Sequence, residues 1–257
     1  MFKPKATDYQ SKELISEFRD VPHFSKQEIY DFYCRKEPEL NDGTLSWRIH
    51  YLKQRGIIQS IGRGIYTISV KPHYSPDISL RLIRLSRILN KVWSDINYCA
   101  WSTEWLNSFT RHQLQSFFTV LEIEKELMED VFECLFYEYN LRVYMKPDKD
   151  IMDRYVAFEN AILVMPLISR SPDQIISYKK QKVYVPTLEK ILVDSFSDEK
   201  THYAIQGELS YMFEHAIETY NINFTRLLSY SRRRGKEEQV KQFLKHELGD
   251  LLNGVLK

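Results

Sequence analysis

Three groups of residues have the types and spacing to do chemistry. The first is Thr119-Val-Leu-Glu-Ile-Glu-Lys125, where Glu122, Glu124 and Lys125 follow the E-x-K order of a metal-dependent nuclease strand. That chemistry clusters carboxylates on Mg²⁺ and holds a lysine near the attacking water. It also needs an aspartate from a neighbouring strand, and the sequence offers no obvious one. The same residues suit a strand end and the first turn of a following helix, where acidic side chains complement the dipole. The second group is Arg232-Arg233-Arg234, with Arg226 and Lys236 nearby, at a helix end that Gly235 would cap. This is either a second basic surface for DNA phosphates or an acidic partner, or a solvated helix end. The third is Thr44–Arg55, dense in hydroxyls, aromatics and cations.

Little else points to catalysis. No P-loop, G-x-G-x-x-G, G-x-S-x-G or H-E-x-x-H pattern occurs. Eight glycines leave little material for a loop that cradles phosphate. His50 and His112 have no ligand-type residue at i+3 or i+4, so no metal site is expected. Cys34, Cys99 and Cys134 are far apart and form no CxxC, which reads as free thiols in a reducing cytoplasm. Trp101 and Trp105 follow a strand and serve either a core or a partner. The expectation is therefore a protein with no catalytic role, cofactor or metal, and a nuclease as the enzymatic alternative.

The elements around Thr44–Arg55 give that segment its meaning. Leu14, Ile15 and Phe18 mark a first helix, which Pro22 stops. Ser25 with Glu28 three residues on is a capping box for a second helix ending near Lys36. Asn41-Asp42 offers a further cap, and Leu45, Ile49 and Leu52 recur at the spacing of a buried helix face. Gly56 sits where a helix ends in the left-handed region. Residues 57–61 and 65–68 are β-branched and aromatic runs joined by Gly62-Arg63-Gly64, a hairpin pattern. Helix, helix, helix, hairpin is the order of a winged helix-turn-helix, expected over residues 1–71.

In that motif the helix containing Thr44–Gln54 lies in the major groove of double-stranded DNA. Its outward residues are expected to be Thr44, Ser46, Trp47, Arg48, Tyr51, Lys53 and Arg55, with His50 at the margin. Arg48 would fork onto a guanine edge, while Lys53 and Arg55 would touch phosphate. Arg63 at the wing tip would reach the adjacent backbone or the minor groove. The plainer alternatives are a solvated helix face and a Trp47 packed against the first helix.

Lys71–Pro76 is the expected linker, and a second domain is expected over 77–257. It reads as helix 78–91, strand 96–100, helix 104–109, strand 117–123, helix 125–137 and strands at 141–145, 161–167 and 182–185. Thr187 would cap a helix through Phe196, and the chain from about His202 reads as helical. The fold class is therefore α/β (α+β), an N-terminal winged helix followed by an α/β domain with a helical C-terminal end. Net charge is +1, which neither demands nor forbids nucleic acid. The first 14 residues lack the apolar run of a signal peptide, and no run is long enough to span a membrane, so a cytoplasmic protein is expected.

Four segments carry a family likeness. They are Gly62-Arg-Gly-Ile-Tyr66, Tyr98–Gln113 (YCAWSTEWLNSFTRHQ), Val185–Phe196 (VPTLEKILVDSF) and Leu227–Lys236 (LLSYSRRRGK). Through them the chain resembles a Bacteroidetes-type family of unassigned function and, more distantly, the antitoxin-type regulators of AbiE abortive-infection systems. These belong to the type IV toxin–antitoxin class. The resemblance implies a DNA-binding domain that represses its own promoter at inverted repeats. It also implies a C-terminal domain that opposes a nucleotidyltransferase-like toxin, and the two need not form a stable complex. It supplies no catalytic residues. A protein–protein adaptor whose winged helix never meets DNA remains the third reading.

Overall fold

Local capping signals set the N-terminal helices. In the computed structural model, which describes residues 9–68, 71–156, 160–179, 181–198 and 203–249, Ser25 accepts from the Glu28 backbone N–H at 3.1 Å. The Glu28 carboxylate accepts in return from the Ser25 N–H at 2.7 Å, closing the capping box. This opens α2 (Lys26–Cys34). Asn41 caps α3 (Asp42–Gln54) by accepting from the Thr44 N–H at 2.8 Å. Gly56 follows α3 with φ +66°, the left-handed conformation that ends it without a Cβ clash. Ahead of these lie α1 (Ser11–Phe18) and a two-residue strand, β1 (Phe24–Ser25), which the periodicity does not announce.

The hairpin forms as β2 (Gln59–Gly62) and β3 (Ile65–Thr67), and β1 joins it in the antiparallel order β1-β3-β2. Leu14, Phe18, Phe24, Ile29, Phe32, Tyr33, Leu45, Ile49, Leu52 and Tyr66 share one buried cluster. Each large apolar side chain so buried contributes about 1.5–3 kcal/mol.

A second buried cluster runs from Tyr74 to Leu244 around a four-stranded sheet. Its strands are β4 (Tyr98–Ser102), β5 (Thr119–Ile123), β6 (Val143–Met145) and β7 (Ile162–Pro166), in the order β4-β5-β7-β6. β4 is antiparallel to β5, and β5, β7 and β6 are mutually parallel. The register pairs Cys99 with Glu122 and Trp101 with Val120, so these four side chains share one face. Tyr98 and Leu121 lie on the other, where the Tyr98 hydroxyl meets Ser86 Oγ of α4 (Leu80–Val92) at 2.6 Å. Between β5 and β6 the chain makes a 3₁₀ turn, α5 (Met128–Glu133) and a π-helical turn over Cys134–Glu138 rather than one regular helix. α6 (Lys149–Ile151) is a further short turn before β7.

A ribbon of β8 (Asp173–Tyr178) and β9 (Gln181–Pro186) then leads into α7 (Leu188–Ser197). β8 exposes Ile175 and Tyr178, and this weak alternation hid it from periodicity. Thr187 occupies the cap position of α7, but its hydroxyl accepts no capping bond. The C-terminal end is helical: α8 (Leu209–Thr219), α9 (Phe224–Arg233) and α10 (Glu237–Leu248). The mixed α/β class and the helical end agree with the sequence reading. The expectations for residues 1–8 and for His202 fall outside the described residues.

Ser25→Ala removes the capping box and is expected to cost about 1 kcal/mol. Urea denaturation followed by helical circular dichroism measures it; an unchanged midpoint would mean that the box adds nothing.

Candidate functional site

α3 turns Leu45, Ile49 and Leu52 inward and leaves Ser46, Trp47, His50, Lys53 and Arg55 exposed. Trp47 is 55% exposed, a large value for an indole. It stacks on Tyr51 at 6.0 Å between centroids, and Tyr9 closes edge-on against both rings at 5.3 and 4.9 Å. The Arg55 guanidinium lies 5.3 Å from the centre of the Tyr51 ring, a cation–π distance. Thr44 is half-buried under the Asn41 cap. Among the described residues, neither Lys53 nor Arg55 forms an ion pair.

Arg48 departs from expectation. It is buried, not outward. Its guanidinium donates to Glu37 at 2.6 Å and packs over the Tyr33 ring at 4.7 Å. A helix position 3 residues after Leu45 lies next to the buried stripe, so tertiary packing decides its side. Arg48 therefore holds α3 to the end of α2 and is not free to read a base. The hairpin tip also differs from a projecting wing. The Lys26 N–H donates to Gly64 O at 2.8 Å, and the Arg63 N–H donates to Thr225 Oγ of α9 at 2.7 Å. Only the Arg63 side chain is exposed at this docked turn.

The expected second basic surface is not one surface. Arg232 forks onto Glu237 at 2.5 and 2.8 Å. Arg233 donates to the Arg170 carbonyl. Arg234 turns inward to lie 3.4 Å from Asp194, and Arg226 sits 3.6 Å from Glu189. Lys236 is half-buried at the start of α10. Each arginine has an anionic or carbonyl partner, so the sequence cluster disperses. Gly235 ends α9 at φ +68°, as its position after the triplet requires.

The E-x-K stretch also parts company. Glu124 and Lys125 are exposed beyond β5, and Glu124 accepts from Asn97 at 3.2 Å. Glu122 points into the sheet face opposite α4 and meets Lys190 Nζ at 2.6 Å. Lys190 sits on α7 and is fully buried. It also donates to Asp194 at 2.5 Å and to the Tyr230 hydroxyl at 3.2 Å. Tyr230, on α9, donates to the other Asp194 oxygen at 2.9 Å. Burial opposes the charge on Lys190, but Asp194 and Glu122 outweigh it and hold the amine well above its ordinary value. Burial and then Asp194 push the Tyr230 phenol up, so it stays a donor.

A cavity of about 150 Å³ opens on this cluster between Trp101, Met165 and Arg234. Both carboxylates are already committed to cations, which leaves no free base there. Trp101 and Trp105 are buried 6.4 Å apart and serve the core. Among the described residues, no group of three or more His, Cys, Asp and Glu is placed to hold a metal ion. Lys190, Asp194 and Tyr230 escaped the sequence reading. No spacing announced them: α7 has five polar residues among its ten, yet Leu188 through Ser195 are all buried, so the charges among them have to be paired.

Lys190→Met strands two buried carboxylates and is expected to cost about 3–5 kcal/mol in chemical denaturation. A shift below about 1 kcal/mol would show that the cluster is loosely coupled to folding. The pH dependence follows from the raised amine. Its contribution is complete below the ordinary lysine value of 10.5 and is lost as pH rises through the higher folded value. Alkaline melting curves should show this loss in the wild type and lack it in Lys190→Met.

Residues 44–250 match the family of unknown function DUF6577, and the chain belongs to that family. No curated protein matches it.

Proposed function

We propose that the N-terminal unit is a winged helix that binds double-stranded DNA through α3, and that the chain is a cytoplasmic autoregulator of its own promoter. The observation that carries this reading is the exposed α3 face, with Ser46, Trp47, Lys53 and Arg55 turned away from the core. The order of three helices and a three-stranded antiparallel sheet supports it. So does the local charge: residues 1–72 hold 12 Lys/Arg against 9 Asp/Glu. Lys53 and Arg55 supply phosphate contacts, and Ser46 and Trp47 face the bases.

The resemblance to AbiE antitoxins extends the proposal. On it, the C-terminal unit opposes a nucleotidyltransferase-like toxin encoded alongside. A nuclease reading gains no support, because Glu122 is tied to Lys190 and separated from Lys125. The aromatic set Tyr9, Trp47 and Tyr51 favours a second reading, in which the same face docks a protein.

A band-shift titration against the DNA upstream of its own gene, with a scrambled duplex beside it, tests the proposal. Selective binding that weakens with salt is expected. Lys53→Ala with Arg55→Ala should weaken binding to all sequences and reduce the salt slope by about 2. Arg48→Ala should lower the melting temperature. Equal binding to both duplexes, or none, would contradict the DNA reading and leave the protein-docking one.

A further inference from the structure

The triplet Arg232–Arg234 is paired, but another set of arginines is not. α4 carries Arg81, Arg84, Arg87 and Lys91 and no acidic residue. Among the described residues, none of these four forms an ion pair. Arg81 is the unusual one. It is half-buried, and burial lowers its pKa with no carboxylate acting against it. A guanidinium in that position loses hydration and gains no counter-charge, which is costly unless an anion completes the site.

Arg81 and Arg84 border a cleft of about 470 Å³ between α4 and the segments that enter β6 and β7. Arg142 stands on the opposite wall, and among the described residues the lining contains no carboxylate. The floor is apolar, formed by Leu85, Ile88 and Ile162. Asn140 and Asn160 stand at the rim, and each amide offers both donors and an acceptor. The volume falls in the range of about 300–1,000 Å³ typical of small-molecule sites. Cationic forks, an apolar floor and paired amides together match three parts of one ligand: a phosphate, a flat ring and a ring edge that both donates and accepts.

We propose that this cleft binds a free mononucleotide, with its phosphate on Arg81 and Arg84 and its base on the apolar floor under Asn140 and Asn160. The guanidinium fork favours phosphate over a carboxylate-free neutral ligand, because charge-assisted bidentate bonds are about twice as strong as neutral ones. An oligonucleotide carries the same chemistry, and the test separates the two. The site is remote in sequence from α3 and does not depend on the DNA reading.

Isothermal titration of the full chain with AMP, GMP, CMP and UMP tests the proposal, with adenosine, inorganic phosphate and a short single-stranded oligonucleotide as controls. At least one mononucleotide should bind tenfold or more tightly than adenosine and than phosphate. Arg81→Ala with Arg84→Ala should lose that binding at least tenfold, and Arg84→Lys should retain part of it. Lys53→Ala with Arg55→Ala should leave it unchanged, so failure here is separate from failure of the DNA reading. Three results would overturn the site: no mononucleotide binding at millimolar concentration, binding unchanged in the double variant, or binding of the oligonucleotide alone.

Discussion

A lysine amine with no access to water has to be neutralised by its neighbours, and Lys190 is such a group. Dehydrating one ammonium and two carboxylates costs several kcal/mol per ion, which only close pairing offsets. The pairing in turn dictates position. Glu122 belongs to β5, Asp194 and Lys190 to α7, and Tyr230 to α9. Bringing those atoms within 3.2 Å fixes one sheet face against two helices. α9 then carries the constraint outward, because its Thr225 accepts from the backbone of the β2–β3 turn. Lys71 adds a second tie by donating to the Ile217 carbonyl of α8 at 2.7 Å. The core charge cluster and the N-terminal unit thus share a support.

What the sequence revealed was what short-range physics decides. Ser25 with Glu28, Asn41 and Gly56 set helix ends through bonds or conformations within 4 residues, and each reads directly from spacing. Leu45, Ile49 and Leu52 were legible because a helix repeats every 3.6 residues. Arg48 was not, because its side of the helix depends on Glu37 and Tyr33, contributed by α2 and the turn after it. β1 has two residues and no pattern of its own; pairing with β3 makes it a strand. Lys190 and Asp194 resemble an ordinary surface pair four apart, and their burial is set by β5 and α9 packing onto α7, which no spacing within the helix reveals.

The basic surfaces show the same lesson at the level of function. Counting arginines in the sequence pointed to Arg232–Arg234, yet Glu237, the Arg170 carbonyl and Asp194 take up those charges. Among the described residues, Lys53 and Arg55 at α3 and the four cations of α4 form no ion pair. A cation already satisfied within the fold has little left for a ligand, so partnership matters more than number. Helix α3 adds aromatic rings beside its cations, whereas the α4 cleft adds an apolar floor and amides. The two sites therefore suit different partners.

Hydroxyl-radical footprinting of the full chain, with and without the duplex from upstream of its own gene, shows whether α3 faces DNA. It reports exposure side chain by side chain. Trp47 at 55% and Tyr137 at 74% exposure provide a probe and a control. Saturating duplex is expected to protect Trp47 and Tyr51 and to leave Tyr137 as reactive as before. Unchanged oxidation of Trp47 in the saturated complex would contradict the assignment of α3 as the DNA-facing helix.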